Sequence, residues 1–142
     1  MAEHTPFPVQ VLTPEGELFA EDVQMISTKT TVGSIGILAN HTPVLATLEP
    51  TELRLYRSES DIVRFAQSEG YMQVGGNRAM LLLQEAHEPG ALDAGELRAR
   101  LQEAERVLGD AEEDSERRRV AEREQRRLSA FLAIAEGAGH GG

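Results

Sequence analysis

The sequence predicts an α+β protein built β first and α second: a β-sandwich or flattened barrel of about eight to ten strands, then an antiparallel two-helix hairpin. Three observations carry this. Up to Gln84 the chain runs as short segments rich in Val, Ile, Leu and Thr, separated by turn residues. At Glu88-Pro89-Gly90 that pattern stops. Beyond it, apolar residues recur at helical rather than alternating spacing. The organisation expected is a sandwich over residues 1–88, a hairpin over 89–136 and a flexible Gly-rich tail over 137–142.

The first strand, Val9–Leu12, ends at Thr13-Pro14-Glu15-Gly16, with Pro at the second turn position and Gly closing it. A short edge strand follows at Glu17–Phe19, and Val23–Thr28 alternates as a strand should. Next comes an apolar run cut by two glycines: Val32, Gly33, Ser34, Ile35, Gly36, Ile37, Leu38, Ala39, Asn40, His41, Thr42, Pro43. Gly33 and Gly36 are expected to take positive φ or to let another backbone approach, while Ile35, Ile37 and Leu38 call for burial. The segment reads either as a plain bulge or hairpin, or as a rigid surface loop held for docking.

Pro43–Leu48 and Glu52–Tyr56 each form one strand, and Asp61–Gln67 alternates with one face apolar. Tyr71–Val74, the turn Gly75-Gly76-Asn77 and Ala79–Gln84 then make a hairpin. So many short strands are best buried by closing the sheet on itself, which covers one face of each and leaves few open edges.

Asp93 followed by Glu96 offers an N-cap with a capping-box partner, so a helix starts there. Leu97, Leu101, Ala104 and Leu108 form its apolar stripe, and Gly109-Asp110 stops it. A second helix starts at Asp114 or Ser115 and runs to Glu136, with Ala121, Gln125, Leu128, Leu132 and Ala135 on one face. A short connection makes the pair antiparallel. Its seam is alanine-rich between Val120 and Leu128, so packing there is thin.

The 142-residue chain has no Cys, which excludes disulfides, thiolate metal sites and thiol nucleophiles. Its net charge of −10 argues against general nucleic-acid binding. Residues 1–90 carry 5 basic against 12 acidic side chains, and residues 91–142 carry 9 against 12. The N-terminus lacks a signal-peptide pattern, and no stretch approaches the roughly 20 apolar residues that span a bilayer.

In order and spacing these pieces resemble the epsilon subunit of bacterial F-type ATP synthase. The resemblance rests on Val9–Gly16, Gly33–Pro43, Leu45–Pro50, Gly70–Val74 and Leu92-Asp93. It implies a non-catalytic rotor subunit of the central stalk. The sandwich would bind the gamma subunit and the ring of c subunits through Gly33, Ser34, Ile35, Gly36, Ile37, Leu38, Asn40, His41 and Pro43. The hairpin would extend toward the alpha/beta catalytic subunits and inhibit ATP hydrolysis, with Arg117, Arg118, Arg119, Arg123, Arg126 and Arg127 as contacts. Such a subunit lies on the cytoplasmic face of the plasma membrane and meets the membrane only through the complex. Ser34 and Ala39 stand where the family commonly has an acidic residue and a proline. Leu92, Asp93, Arg123 and Arg127 fit the pattern by which some members bind ATP. Glu96 and Leu97 replace its Arg-Ala pair, and a carboxylate facing a polyphosphate is repulsive, so ATP binding is expected to be weak or absent. No other cofactor is expected.

Each sharp reading has a plain counterpart. His41 has no companion at triad or metal spacing, so turn structure or a subunit contact suits it. The arginines of the second helix read equally as a solvated face paired with nearby glutamates. Asp110, Glu112, Glu113 and Asp114 suggest magnesium, but an acidic N-cap accounts for them without metal. The same acidic tip fits a transcript-cleavage-type factor or another hairpin adaptor, although such factors place the coiled coil first.

Overall fold

In the computed structural model, which describes residues 4–138, the chain divides into two compact units, Met1–His87 and Glu88–Gly142. The first is a single curled sheet. Its strands are β1 (Phe7–Thr13), β2 (Gly16–Val23), β3 (Met25–Thr30), β4 (Gly33–Ile37), β5 (Val44–Leu48), β6 (Thr51–Tyr56), β7 (Ile62–Gln67), β8 (Gly70–Gly75), β9 (Arg78–Leu83) and β10 (Ala86–His87). They run in the order β10-β7-β6-β3-β5-β8-β9-β1-β2, with β4 attached to β3 alone. β3 and β5 join by the single pair Thr30↔Leu48, and there the sheet bends over on itself. All pairings are antiparallel except β1 with β9, where Val9 faces Ala79 and Leu12 faces Leu82.

Alternation along the strands sends one face inward. Val9, Val11, Phe19, Val23, Ile26, Ile37, Leu48, Leu53, Leu55, Met72 and Leu81 are buried in one core, each such side chain stabilising the fold by about 1.5–3 kcal/mol. A polar contact runs through it: Thr28 Oγ1 donates to Gln67 Oε1 at 2.6 Å, and Gln67 Nε2 donates to the Glu49 carbonyl at 2.8 Å. Burying Gln67 is tolerable because both ends of its amide are paired. Across the curl, Arg57 grips Glu21 through two bonds of 2.9 and 2.8 Å, tying the β6–β7 turn to β2.

The turns follow the residues that allow them. Gly16 (φ +129) closes the β1–β2 turn, and Gly76 and Asn77 (φ +58 each) make the β8–β9 turn, so β8 runs one residue further than the alternation predicts. β2 extends well beyond the expected Glu17–Phe19, and β10 is too short to be read from periodicity.

The second unit opens with a 3-10 turn, η1 (Pro89–Ala91), absent from the sequence reading. Helix α1 (Ala94–Asp110) begins where Asp93 Oδ1 accepts from the Glu96 N–H at 3.1 Å. It passes through Gly109 and ends at Ala111, which is extended. Helix α2 (Glu116–Ala138) begins after Ser115, whose Oγ accepts from the Arg118 N–H at 3.1 Å. Asp114 turns the chain there with φ +61 and is not helical. Gly137 and Ala138, assigned to the tail by composition, are helical; the rest of that tail lies outside the described residues. Among the described residues, Leu97, Ala104, Ala121, Leu128 and Phe131 are the buried ones of the pair. Phe131 is not among those picked out by the 4-3 spacing.

Candidate functional site

The glycine-cut segment is a β-hairpin. Thr31 and Val32 form its turn, held because Thr30 Oγ1 donates to the Gly33 carbonyl (3.0 Å) and accepts from the Val32 N–H (3.2 Å). Gly33 takes φ +130, which only glycine adopts without strain, as the sequence implies. Gly36 does not: its φ is ordinary, and a Cβ built there meets nothing nearer than 3.9 Å. Ile37 is fully buried and Ile35 packs against the core, but Leu38 is 38% exposed, contrary to the burial expected. The hairpin has left its inward face by that point. Val32 at the turn tip is 96% exposed, the most exposed large apolar side chain described.

Beyond β4 the chain is pinned by polar bonds. Asn40 takes φ +60, and its N–H donates to Asn77 Oδ1 in the β8–β9 turn at 2.8 Å. The His41 N–H donates to the Leu38 carbonyl (3.2 Å), and His41 Nδ1 donates to the Thr42 carbonyl (2.6 Å). His41 thus shapes the turn. Pro43 leads directly into β5.

A second feature escaped the sequence reading. Leu45 (75% exposed), Tyr71 (56%) and Leu82 (44%) stand on the outer face of β5, β8 and β9, in adjacent ladder rows with Leu12 of β1. Leu12, Tyr71 and Leu82, with Pro14 and Thr47, border a hollow of about 440 Å³. A neighbouring hollow of about 530 Å³ is lined by Gln10, Ala20, Gln73, Arg78 and Met80. The signal was present in the sequence: Leu45, Tyr71 and Leu82 occupy the outward phase of strands whose inward phase is already apolar. Apolar side chains on both faces mark a sheet that is covered by something.

On the hairpin, Arg118 bonds Glu122 (3.0 Å) and the Leu108 carbonyl of α1 (3.2 Å). Arg119 bonds Glu116 (3.2 Å) and the Asp114 carbonyl (2.8 Å), and Arg123 lies 3.7 Å from Glu116. Arg126 and Arg127 are engaged too, and Arg117 is exposed. Arg106, held by Glu103 and Asp110, keeps the Glu103 carboxyl below its usual range. The thin seam is a groove of about 570 Å³ over Ala104, Val107, Val120 and Ala121. Of the residues matched to ATP binding, Asp93 is occupied as the α1 cap, Leu92 ends η1 and Arg123 faces Glu116. Among the described residues no group of three His, Asp or Glu side chains converges for a metal, and no helix is long and apolar enough to cross a membrane.

These features suit a docking protein: a sandwich that offers a hairpin whose β4 strand has no ionisable side chain and an apolar outer face, carried on one chain with a helical hairpin. Residues 6–89 match the family described as "ATP synthase, Delta/Epsilon chain, beta-sandwich domain". The chain belongs to this family, and the identification made from its motifs, an epsilon-type subunit of ATP synthase, holds. It is 32% identical over 131 residues to an ATP synthase epsilon chain of Dichelobacter nodosus, covering 91% of this chain and 92% of that one. It is 31% identical over 121 residues to the epsilon chain of Rubrobacter xylanophilus (84% and 82%). Among solved structures, a chain of the Euglena gracilis mitochondrial ATP synthase (OSCP/F1/c-ring) matches with a TM-score of 0.77 at 22% identity, covering 99% of this chain and 85% of that one. That likeness is one of fold. The transcript-cleavage alternative falls with the family assignment.

Proposed function

We propose that this chain is a non-catalytic subunit of the rotor, joining the gamma subunit to the ring of c subunits and restraining ATP hydrolysis through α1 and α2. The observation that carries the docking half is the continuity of two exposed surfaces. The pinned segment Val32–Pro43 runs straight into β5, whose Leu45 opens the apolar outer face with Tyr71 and Leu82. Burying such a patch against a partner is favourable at about 25 cal/mol per Å².

The regulatory half rests on the composition of the hairpin. Its arginines are paired mostly within α2, and such exposed pairs are weak enough to exchange for acidic groups of the alpha/beta subunits. ATP binding is weak or absent in this reading, since Asp93 is committed to the α1 cap and Glu96 follows it in the first turn. The subunit sits on the cytoplasmic face of a bacterial plasma membrane, held through the complex.

Deleting residues 91–142 should leave the complex assembled and raise its ATPase activity; unchanged hydrolysis would remove the inhibitory role and leave the structural one. Replacing Leu45 and Tyr71 by Asp should abolish capture by purified gamma, and full retention would refute the docking surface. Titration calorimetry with ATP should show no binding in the low micromolar range.

A further inference from the structure

Three of the described strands pair on one side only, and two of them are protected in the ways that natural proteins protect edges. β2 carries Glu17, Glu21 and Asp22 along its length, and β10 is only two residues long. β4 is different. It pairs with β3 alone, and from Thr30 to Asn40 the chain contains no ionisable side chain and no proline.

The direction of its backbone groups follows from its neighbour. The Lys29 carbonyl accepts from the Glu49 N–H at 3.0 Å, on the side of β3 away from β4. A strand residue directs its N–H and C=O to the same side, so Lys29 and its partner Ser34 form a non-hydrogen-bonded pair. Two residues along, Ser27 and Gly36 form another. Ser34 and Gly36 therefore aim their N–H and C=O groups at the open edge, about 6.8 Å apart. Among the described residues no strand pairs with that edge.

Gly36 adds an independent observation. Neither its φ nor its surroundings require glycine: the nearest atoms to a Cβ there are the Ile26 carbonyl oxygen and Met25 Sδ, both at 3.9 Å. A glycine that the fold does not need, exposed on an unprotected edge, is suited to close approach by another backbone.

We propose that the free edge of β4 receives an extended, uncharged segment of the gamma subunit as an added strand, bonded to the backbone of Ser34 and Gly36. Only an extended main chain offers donors and acceptors that match both residues at once. The proposal rests on the gamma-docking reading above and specifies how that loop engages. Since no ion pair takes part, this contact should be insensitive to ionic strength.

The test is amide hydrogen exchange by NMR on the full chain, alone and with purified gamma. In the free chain Ser34 and Gly36 should exchange fast, while Ile35 and Ile37, bonded to β3, are protected. With gamma, the Ser34 and Gly36 amides should slow by about tenfold or more. Gly36→Val and Ser34→Lys should leave the melting temperature unchanged and weaken gamma binding about tenfold. Gamma binding with both amides still exchanging freely, or with Gly36→Val binding as wild type, overturns the added strand and leaves the docking reading standing. Failure of gamma to bind at all overturns the docking reading itself. Protection that grows with concentration in the free chain overturns the proposal in favour of a second copy of this chain.

Discussion

Gly70 stands apart from the other described glycines. A Cβ on it would overlap the Leu82 carbonyl oxygen and lie 2.9 Å from Leu83 Cα, so β8 and β9 can approach only because that atom is missing. Both obstacles are backbone and cannot swing aside. Gly70→Ala should therefore cost about 3 kcal/mol, an overpacking penalty, visible as a large fall in the thermal midpoint of the sandwich; a shift of only a degree or two would show that the strands part easily. A different kind of residue control operates at Glu21. The Arg57 guanidinium bonded to it holds its carboxyl below the ordinary range. A lowered folded pKa means that the stabilisation is present above the unfolded carboxylate range and is lost as pH falls through the depressed value. In denaturant melts between neutral and acid pH, wild type should lose stability more steeply than Glu21→Gln; parallel slopes would mean that the pair adds nothing.

The hairpin depends on few side chains, which makes its elements separately testable. Removing the Asp93 cap (Asp93→Ala) should cost about 1 kcal/mol and fray the first turn of α1, seen as faster amide exchange at Glu96. Phe131→Ala removes the largest buried side chain of α2 and should cost about 3 kcal/mol, with loss of helical circular dichroism well below the melt of the sheet. The α1 start was legible because a cap is local chemistry: Asp93 and Glu96 are three residues apart, and the bond forms as the spacing implies. Turns at Gly16, Gly33 and Gly76-Asn77 were legible for the same reason, since positive φ is a property of the residue. What depends on distant partners was not. Phe131 is buried by tertiary packing, β10 exists only because β7 is there to pair with it, and the outer-face clustering of Leu45, Tyr71 and Leu82 becomes visible only when their strands are placed side by side. At Gly36 the positive-φ half of the expectation does not hold, because glycine signals freedom and not whether the fold uses it.

For the whole chain, the decisive fact is that the sandwich core, from Phe7 to Leu83, lies within the first unit. A chain ending at residue 90 should fold and melt cooperatively, as judged by coincident circular dichroism and fluorescence transitions; a broad, non-coincident melt would show that the helices complete the core. The core includes both partners of the parallel pairing between β1 and β9, the longest reach in the sheet. That pairing also orders events in time. As the polypeptide leaves the ribosome, β1 and β2 emerge first and can pair with each other, yet the second edge of β1, at Val9 and Val11, has no strand to lie beside until residues 78–83 have been made. Non-local pairing of this kind is slow and leaves apolar surface open to misassociation in the nascent chain. Because α1 and α2 are translated last, the sheet and the docking surface proposed on it are complete before the helices exist, and an unfinished polypeptide can already be committed to assembly.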